Sequence, residues 1–218
     1  MAFFTDYLAD PFTRDILVEL SLEHVFLTLI PIAIAIVIGL TLGVIAVRFS
    51  YTRQVILNTT STFLTFPSLA LFSLFIPLVG IGYKPAIIPL SMYALLPIVR
   101  NTVTGLGGVD AAIVESARGM GMGAGRRLMR IELPTSWPVI LTGIRVSTQL
   151  VIGIAAIAAL VGGPGLGNEI LGGIRSIGSP GALERLLGGT LAIAALAMLF
   201  DLLYLGIGRL TIPRGLRD

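Results

Sequence analysis

Charged residues in this chain are confined to short intervals between long apolar runs, and this separation constrains the fold more than any other feature. Only 12% of the 218 residues are charged and 55% are hydrophobic, whereas soluble domains carry about 25% charged residues. The run from Val25 to Val47 contains no charge, and roughly 20 apolar residues are enough for a helix to cross a bilayer. We therefore predict an all-α, polytopic integral membrane protein.

The apolar runs predict about five membrane-spanning helices, and these spans with their loops account for the whole length. The predicted bounds are Val25–Val47, Val55–Val79, Ala86 to about Thr104, Trp137 to about Val161, and Gly188–Gly208. We predict one transmembrane domain over residues 1–218, with an acidic segment at 1–23, a membrane core at 24–210 and a polar loop at 105–135. Residues 162–187 are expected to be irregular or re-entrant.

The acidic segment has a predicted structure of its own. Pro11 is well suited to open a helix, and we predict a short helix that lies at the membrane surface. The segment lacks the basic start of a secretory signal, so we expect it to be retained.

The basic residues divide unequally between the two sides of the membrane. With the spans above, one side receives Arg48, Arg53, Arg100, Arg118, Arg126, Arg127, Arg130, Arg145, Arg209, Arg214 and Arg217, and the other receives Arg14, Lys84, Arg175 and Arg185. Cytoplasmic loops carry the excess of positive charge in membrane proteins. The division predicts an outside N-terminus, a cytoplasmic C-terminus and a cytoplasmic loop at 105–135.

The residues needed for catalysis and cofactor binding are largely missing. Lys84 is the only lysine and is followed by Pro85, so the phosphate-binding P-loop motif is absent and the chain cannot be a P-loop ATPase by itself. There is no cysteine, and His24 is the only histidine, which argues against a metal site or a catalytic triad. The glycines of residues 119–123 lack the spacing and the preceding strand of a dinucleotide site. We expect no catalytic site, metal, cofactor or nucleic-acid contact on this chain.

Two interruptions mark the first two spans. Gly39 and Gly43 have the GxxxG spacing that allows a second helix to approach closely. Pro67 and Ser68 break the second span, because proline removes a backbone hydrogen bond and nearby hydroxyls can satisfy the freed carbonyls. Such a broken helix fits a polar pathway as well as ordinary kinked packing.

Two charges lie within the predicted fourth and fifth spans. A charge in the bilayer is costly unless it is paired or faces water, and Arg145 and Asp201 lie at similar distances from the cytoplasmic ends of their spans. We hypothesise an Arg145–Asp201 pair, with either a structural role or a role in gating or the pathway.

The polar loop has the pattern of two short helices joined by glycines. Asp110 is a suitable N-cap for a helix over residues 111–118, and the glycines of residues 119–123 permit a sharp turn. Helical spacing resumes from Arg126 to Glu132, and we predict that Pro134 ends the helix. From the residues alone, this protrusion fits a docking element for a partner and a solvated basic loop equally well.

The positions of certain residues in the loop follow a known pattern. They are Glu115, Ser116, Ala117, Gly121, Ile131, Leu133 and Pro134. Their order and spacing resemble the EAA loop of ABC importer permeases, in which E-A-A is followed by three residues, glycine, nine residues and I-x-L-P. Ser116 replaces the first alanine, which is a change between small residues. Further stretches, Pro67–Leu71, Leu96–Thr102 and Gly163–Gly167, resemble the osmoprotectant branch of the methionine-importer-like, five-span family.

The resemblance implies a permease subunit of a type I importer in the bacterial plasma membrane. It implies a second permease chain, identical or paralogous, two ATP-binding subunits that hold ATP and Mg²⁺, and an extracytoplasmic substrate-binding protein. The seven loop residues would couple the spans to the ATP-binding subunits. The residues Pro67, Ser68, Gly163, Gly165 and Gly167 are candidates for the pathway or its gate.

The cargo implied by the resemblance is a compatible solute such as glycine betaine, choline, carnitine or proline. Two alternatives remain open. The same architecture could import methionine or another amino acid, and an unrelated ATP-independent channel would also be built from apolar helices.

Overall fold

The computed structural model describes residues 9–212, and Arg214 and Arg217 lie outside this range, as do residues 1–8 of the predicted acidic segment. The α-helices within it are α1 (Pro11–Arg48), α2 (Ser50–Phe63), α3 (Ser68–Val79), α4 (Tyr83–Gly107), α5 (Ala111–Gly119), α6 (Ala124–Arg127), α7 (Leu133–Ala155), α8 (Gly167–Arg175) and α9 (Ala182–Thr211). A π-helical turn (Leu128–Glu132) joins α6 to α7, and a 3₁₀ segment (Ala156–Val161) follows α7.

Within residues 9–212, four continuous helical stretches are long and apolar enough to cross a membrane. They are α1, α4, the stretch from α6 to the 3₁₀ segment, and α9. The bent pair α2–α3 gives a fifth candidate. The predicted all-α, polytopic architecture is therefore confirmed.

The prediction of a separate surface helix before the first span is wrong. A single helix, α1, runs from Pro11 to Arg48. Its start was correctly placed, since Pro11 occupies the first turn and the Asp10 carboxylate accepts a hydrogen bond from the Thr13 backbone N–H at 2.9 Å. No glycine or proline lies between Pro11 and Pro31, so nothing in the sequence breaks the helix at the predicted boundary.

The second span is divided more sharply than a kinked helix would be. The axes of α2 and α3 meet at 91° across the break that contains Pro67. The Tyr93 hydroxyl donates to the Phe66 carbonyl at 2.9 Å and so satisfies one acceptor of the break. The predicted interruption is confirmed, but the result is an elbow rather than one straight span over Val55–Val79.

The prediction that Pro134 ends the helix of the loop is wrong. In the π-helical turn the Leu133 N–H bonds to the Leu128 carbonyl, five residues back, and this wider turn leaves room for the proline ring. The hydroxyls of Thr135 and Ser136 donate to the carbonyls of residues 131 and 132 at 2.7 and 2.6 Å. The helix therefore passes from α6 into α7, and the predicted start of the fourth span at Trp137 lies inside it.

The last predicted boundaries also shift. Residues 162–187, predicted to be irregular or re-entrant, contain the whole of α8 and the first turns of α9. The final helix therefore begins at Ala182 rather than at Gly188, because the Gly188–Gly189 pair does not break it.

Close packing through glycine holds α1, α4 and α7 together. A Cβ atom at Gly39 would lie 2.8 Å from the Ile98 Cγ2 atom, and one at Gly43 would lie 2.5 Å from the Thr102 Cβ atom. At Gly143 a Cβ atom would lie 2.8 Å from a backbone carbonyl of α4. The predicted GxxxG contact on α1 is confirmed, and α4 lies in the centre of the helix bundle.

Candidate coupling and pathway sites

The loop between α4 and α7 has the predicted helix–glycine–helix geometry. The Asp110 carboxylate accepts the Ala112 N–H at 2.8 Å and caps α5. At the other end Gly121 has φ +76°, while its N–H bonds to the Arg118 carbonyl at 2.9 Å and the Met122 N–H bonds to the Ala117 carbonyl at 3.1 Å. This pair of bonds, with glycine in the left-handed conformation, is a Schellman motif.

The predicted coupling residues divide into exposed and buried positions. Exposed residues are Glu115, Ser116, Gly121 and Pro134, whereas Ile131 and Leu133 are half-buried and Ala117 is fully buried. Buried Ala117 fixes the inner side of α5. The exposed carboxylate of Glu115 is free to meet a partner, and its role in coupling stays a prediction.

An ionic cluster that the sequence pattern does not predict joins this loop to α1. The Glu132 carboxylate accepts from Arg127 Nε at 2.6 Å and from Arg48 Nη2 at 3.1 Å. The side chains of Arg127 and Glu132 are only 6% and 9% exposed, and that of Arg48 is 29% exposed. Arg48 Nη2 also donates to the carbonyl of Ala124, the first residue of α6, at 3.3 Å. We refer to Arg48, Arg127 and Glu132 as the hinge cluster.

Nothing in the usual helical periodicity reveals the hinge cluster. Residues five apart lie about 140° apart around an α-helix, so Arg127 and Glu132 would not face each other in a regular helix. They meet because the π-helical turn lies between them. One feature of the junction is visible in the sequence: Pro134 follows Glu132 closely in a basic segment.

A polar seam connects α7 with α9. Arg145 Nε and Nη2 donate to the two carboxylate oxygens of Asp201 at 2.6 and 2.7 Å, so the hypothesised partners are brought together. Gln149 Nε2 donates to the Ala197 carbonyl at 2.9 Å. Both side chains of the ion pair remain more than a third exposed within these apolar helices. Since a guanidinium has five N–H donors, some of them remain available to water or to another chain.

The Thr148 and Tyr204 hydroxyls extend the seam, 2.8 Å apart. Side chains of Arg145, Thr148 and Gln149 on α7 thus all form hydrogen bonds with α9. The seam holds the two helices in register.

Of the three gate-candidate glycines, Gly163 and Gly165 lie in a tight turn after the 3₁₀ segment, and Gly167 begins α8 directly after it. Gly163, Gly165 and Gly167 are all buried, and Gly165 has φ +99°. A Cβ atom at Gly163 would lie 2.7 Å from the Ala158 carbonyl, and one at Gly167 would collide with the Ala156 carbonyl. These positions require glycine for packing, whatever their part in gating.

The first half of α1 contacts this glycine turn. The Gly165 N–H donates to Glu23 Oε2 at 2.9 Å. The buried His24 lies against the same glycine, and its Nε2–H donates to the Ile152 carbonyl at 3.1 Å. The turn is therefore attached to α1, and His24 connects α1 to α7 beside it.

The remaining pathway candidates lie apart from the glycine turn, at the elbow between α2 and α3. Pro67 is exposed and Ser68 is half-buried. The adjoining α2 presents Asn58 and Thr62 on its exposed surface. The elbow thus carries an uncovered polar face next to a helix break.

Metal binding has no structural support in the described chain. Over residues 9–212 no three His, Cys, Asp or Glu side chains come together in a way that could hold a metal ion.

Comparison with known proteins gives consistent relatives. A family described as "Binding-protein-dependent transport system inner membrane component" matches residues 35–214. The chain is 41% identical over 152 residues to the choline transport system permease protein OpuBB of Bacillus subtilis (strain 168), which covers 70% of each chain. It is 39% identical over 206 residues to the osmoprotectant import permease protein OsmW of Salmonella typhimurium, which covers 92% of this chain and 94% of OsmW.

Two further comparisons extend these findings. The glycine betaine/carnitine/choline transport system permease protein OpuCB of Bacillus subtilis is 40% identical over 152 residues, 70% of each chain. Among solved structures, a chain of the MetNI methionine ABC transporter in an inward-facing conformation superposes with a TM-score of 0.82. That superposition covers 94% of this chain and 100% of the MetNI chain at 22% identity, so it shows a shared fold.

Proposed function

The chain belongs to the family of binding-protein-dependent transport system inner membrane components, and we propose that it imports a quaternary ammonium osmoprotectant such as glycine betaine, choline or carnitine. It is a multi-pass permease subunit of a type I ABC importer. The observation that carries the cargo proposal is the match to an osmoprotectant permease along 92% of the chain. The names of the permeases that match at 40% and 41% identity mention choline, glycine betaine or carnitine.

ATP hydrolysis by a partner chain, with Mg²⁺, supplies the energy in this proposal. The sequence contains no P-loop motif, so the energy has to enter through a protein contact. The protrusion formed by α5, Gly121 and α6 is suited to this contact because it is ordered by its own cap and Schellman motif. Exposed Glu115 and Ser116 meet the partner, and Ile131, Leu133 and Pro134 connect the protrusion to α7.

The proposed assembly contains two permease chains, identical or paralogous, two ATP-binding subunits and an extracytoplasmic substrate-binding protein. The N-terminus lies outside and the C-terminus in the cytoplasm of a bacterial cell, as the arginine distribution favours. The exposed polar faces of the elbow at Pro67 and of the Arg145–Asp201 pair support a second chain or a water-filled pathway beside them, because such faces are costly in contact with lipid.

Selection of cargo is assigned mainly to the binding protein in this proposal. A quaternary ammonium is well held by an aromatic cage. The permease contains a single tryptophan, Trp137, whose Nε1–H donates to the Thr211 hydroxyl at 2.8 Å. Thr211 is the last residue of α9, near the polar loop at 105–135, to which we refer as the coupling loop. A cage of tryptophans therefore cannot be built from one permease chain.

The proposal is tested by uptake into proteoliposomes that contain the assembled transporter with ATP inside and the binding protein outside. Radiolabelled glycine betaine, choline, carnitine, proline and methionine are offered separately. We expect ATP-dependent uptake of at least one quaternary ammonium compound and none of methionine. Uptake of methionine alone would favour the alternative cargo, and ATP-independent flux through the chain by itself would refute the importer.

A further inference from the structure

The π-helical turn at Leu128–Glu132 occupies the junction between the coupling loop and the membrane helix α7. A π-turn inside an otherwise α-helical stretch frequently marks a functional position, because one extra residue is stored in the turn. Here the turn has a buried ion pair across it, from Arg127 on one side to Glu132 on the other. The bond requires the π geometry, since the two residues would lie about 140° apart in an α-helix.

The same carboxylate is also attached to a different span. Arg48, the last residue of α1, donates to Glu132 and to the first carbonyl of α6. Glu132 therefore accepts hydrogen bonds from two arginines. Arg127 directly precedes the turn, and Arg48 lies at the end of α1. A buried carboxylate in this arrangement fixes the rotation of α6 relative to both α1 and α7.

We propose that the π-helical turn is a two-state hinge of the transport cycle and that Glu132 is its positioning residue. This inference rests on the proposed coupling function of the loop. In the state described, the turn is π-helical and the Arg127–Glu132 bond is made. In the second state the turn rewinds to an α-helix, the bond opens, and α6 rotates about the axis of α7 by roughly one residue, about 100°.

The surroundings of the turn give it room to rewind. A largely apolar groove of about 380 Å³ lies beside it, lined in part by Met129, Leu133 and Pro134. These side chains belong to the turn and to the residues directly after it, so they can repack into the groove as the helix rotates. Packed protein interiors favour discrete arrangements over continuous deformation. These side chains are therefore expected to adopt one of two packed arrangements.

The first test compares coupling in Glu132→Gln with that in Arg130→Gln, which removes an exposed arginine from the same turn. Both are measured in proteoliposomes of the assembled transporter as glycine betaine taken up per ATP hydrolysed. We expect the ratio to fall by about tenfold or more in Glu132→Gln, because removing one partner of a buried pair strongly biases a two-state equilibrium. It should stay unchanged in Arg130→Gln. A merely structural defect would lower uptake and hydrolysis together and leave the ratio unchanged, and that result would overturn the inference.

The second test follows the rotation directly and keeps the hinge cluster intact. The chain has no cysteine, so spin labels can be placed through Arg126→Cys and Val139→Cys, which are exposed positions on either side of the turn. The control pair, Val139→Cys with Val146→Cys, lies wholly within α7. Between the nucleotide-free and the ATP–vanadate-trapped transporter, we expect the first distance to shift by about 3 Å or more and the control distance to stay constant. Constant distances in both pairs would overturn the inference.

The two proposals fail in different ways. If the unaltered transporter shows no ATP-driven uptake, the proposed function fails and the hinge fails with it. If the unaltered transporter couples uptake to ATP and the label distance across the turn is invariant, only the hinge is wrong.

Discussion

Replacement of Gly121 tests whether the ordered turn of the coupling loop is needed for transport. Gly121 has φ +76°, and an added Cβ atom would meet nothing within 4 Å. The penalty of Gly121→Ala is therefore one of backbone conformation alone, about 1–2 kcal/mol for an L-residue in the left-handed region. That free energy shifts the equilibrium between the ordered and the open turn by a factor of about 5–30.

The shift can be read from the Met122 amide, which bonds to the Ala117 carbonyl in the Schellman motif. In Gly121→Ala, hydrogen exchange at this amide should accelerate by about 5–30-fold. ATP-driven uptake should decrease in the same variant. Gly121→Asn should be affected less, because asparagine tolerates the left-handed conformation.

Gly119→Ala provides the matched control. Gly119 ends α5, has no positive φ and also has open space around an added Cβ atom. Alanine within a helix is favoured over glycine by about 0.5–1 kcal/mol, so exchange at Met122 should slow or stay the same. If Gly119→Ala and Gly121→Ala accelerate exchange equally, the turn is not held by the conformation of Gly121 and the reasoning is refuted.

Three further outcomes are expected. Glu115→Lys should abolish ATP-driven uptake while the chain still reaches the membrane, as measured by uptake and immunoblotting of membranes, and normal uptake would contradict a docking role for α5. Asp201→Asn and Arg145→Gln should each lower the yield of assembled transporter, because each leaves one charged partner of a bidentate pair alone between apolar helices, and unaltered yield and activity in both would remove any role for the pair. Gly43→Ala should destabilise the protein by about 1–3 kcal/mol through overpacking against α4, whereas at Gly206 an added Cβ atom meets nothing within 4 Å. Equal melting temperatures of Gly43→Ala and Gly206→Ala in detergent would contradict the tight contact between α1 and α4.

Much of the architecture could be predicted because hydropathy, glycine spacing and proline act locally. The apolar runs predict the spans to within a few turns, and Gly39 and Gly43 predict that a second helix approaches α1 closely, although not which helix it is. The boundary errors also have local causes. The continuity of α1 was missed because a change from acidic to apolar composition does not break a helix, and the passage of the helix through Pro134 was missed because a π-helical turn can accommodate the ring.

The hinge cluster could not be predicted, for reasons of geometry. Arg127 and Glu132 are five residues apart, a separation that does not face across a regular helix. Arg48 comes from a distant part of the chain, where its charge served only to indicate the side of the membrane. By contrast, the Arg145–Asp201 contact could be predicted, since two opposite charges inside apolar spans are strongly stabilised by pairing.

The polar seam between α7 and α9 has a consequence for how the protein is made. During synthesis α7 leaves the ribosome well before α9. Arg145 therefore has no partner until the intervening residues and Asp201 have been translated. A lone arginine at that depth is poorly tolerated by lipid, so α7 should remain beside the insertion machinery until Asp201 arrives. A nascent chain that stops before α9 would then present an unpaired charge, which gives membrane quality control a means of recognising an unfinished protein.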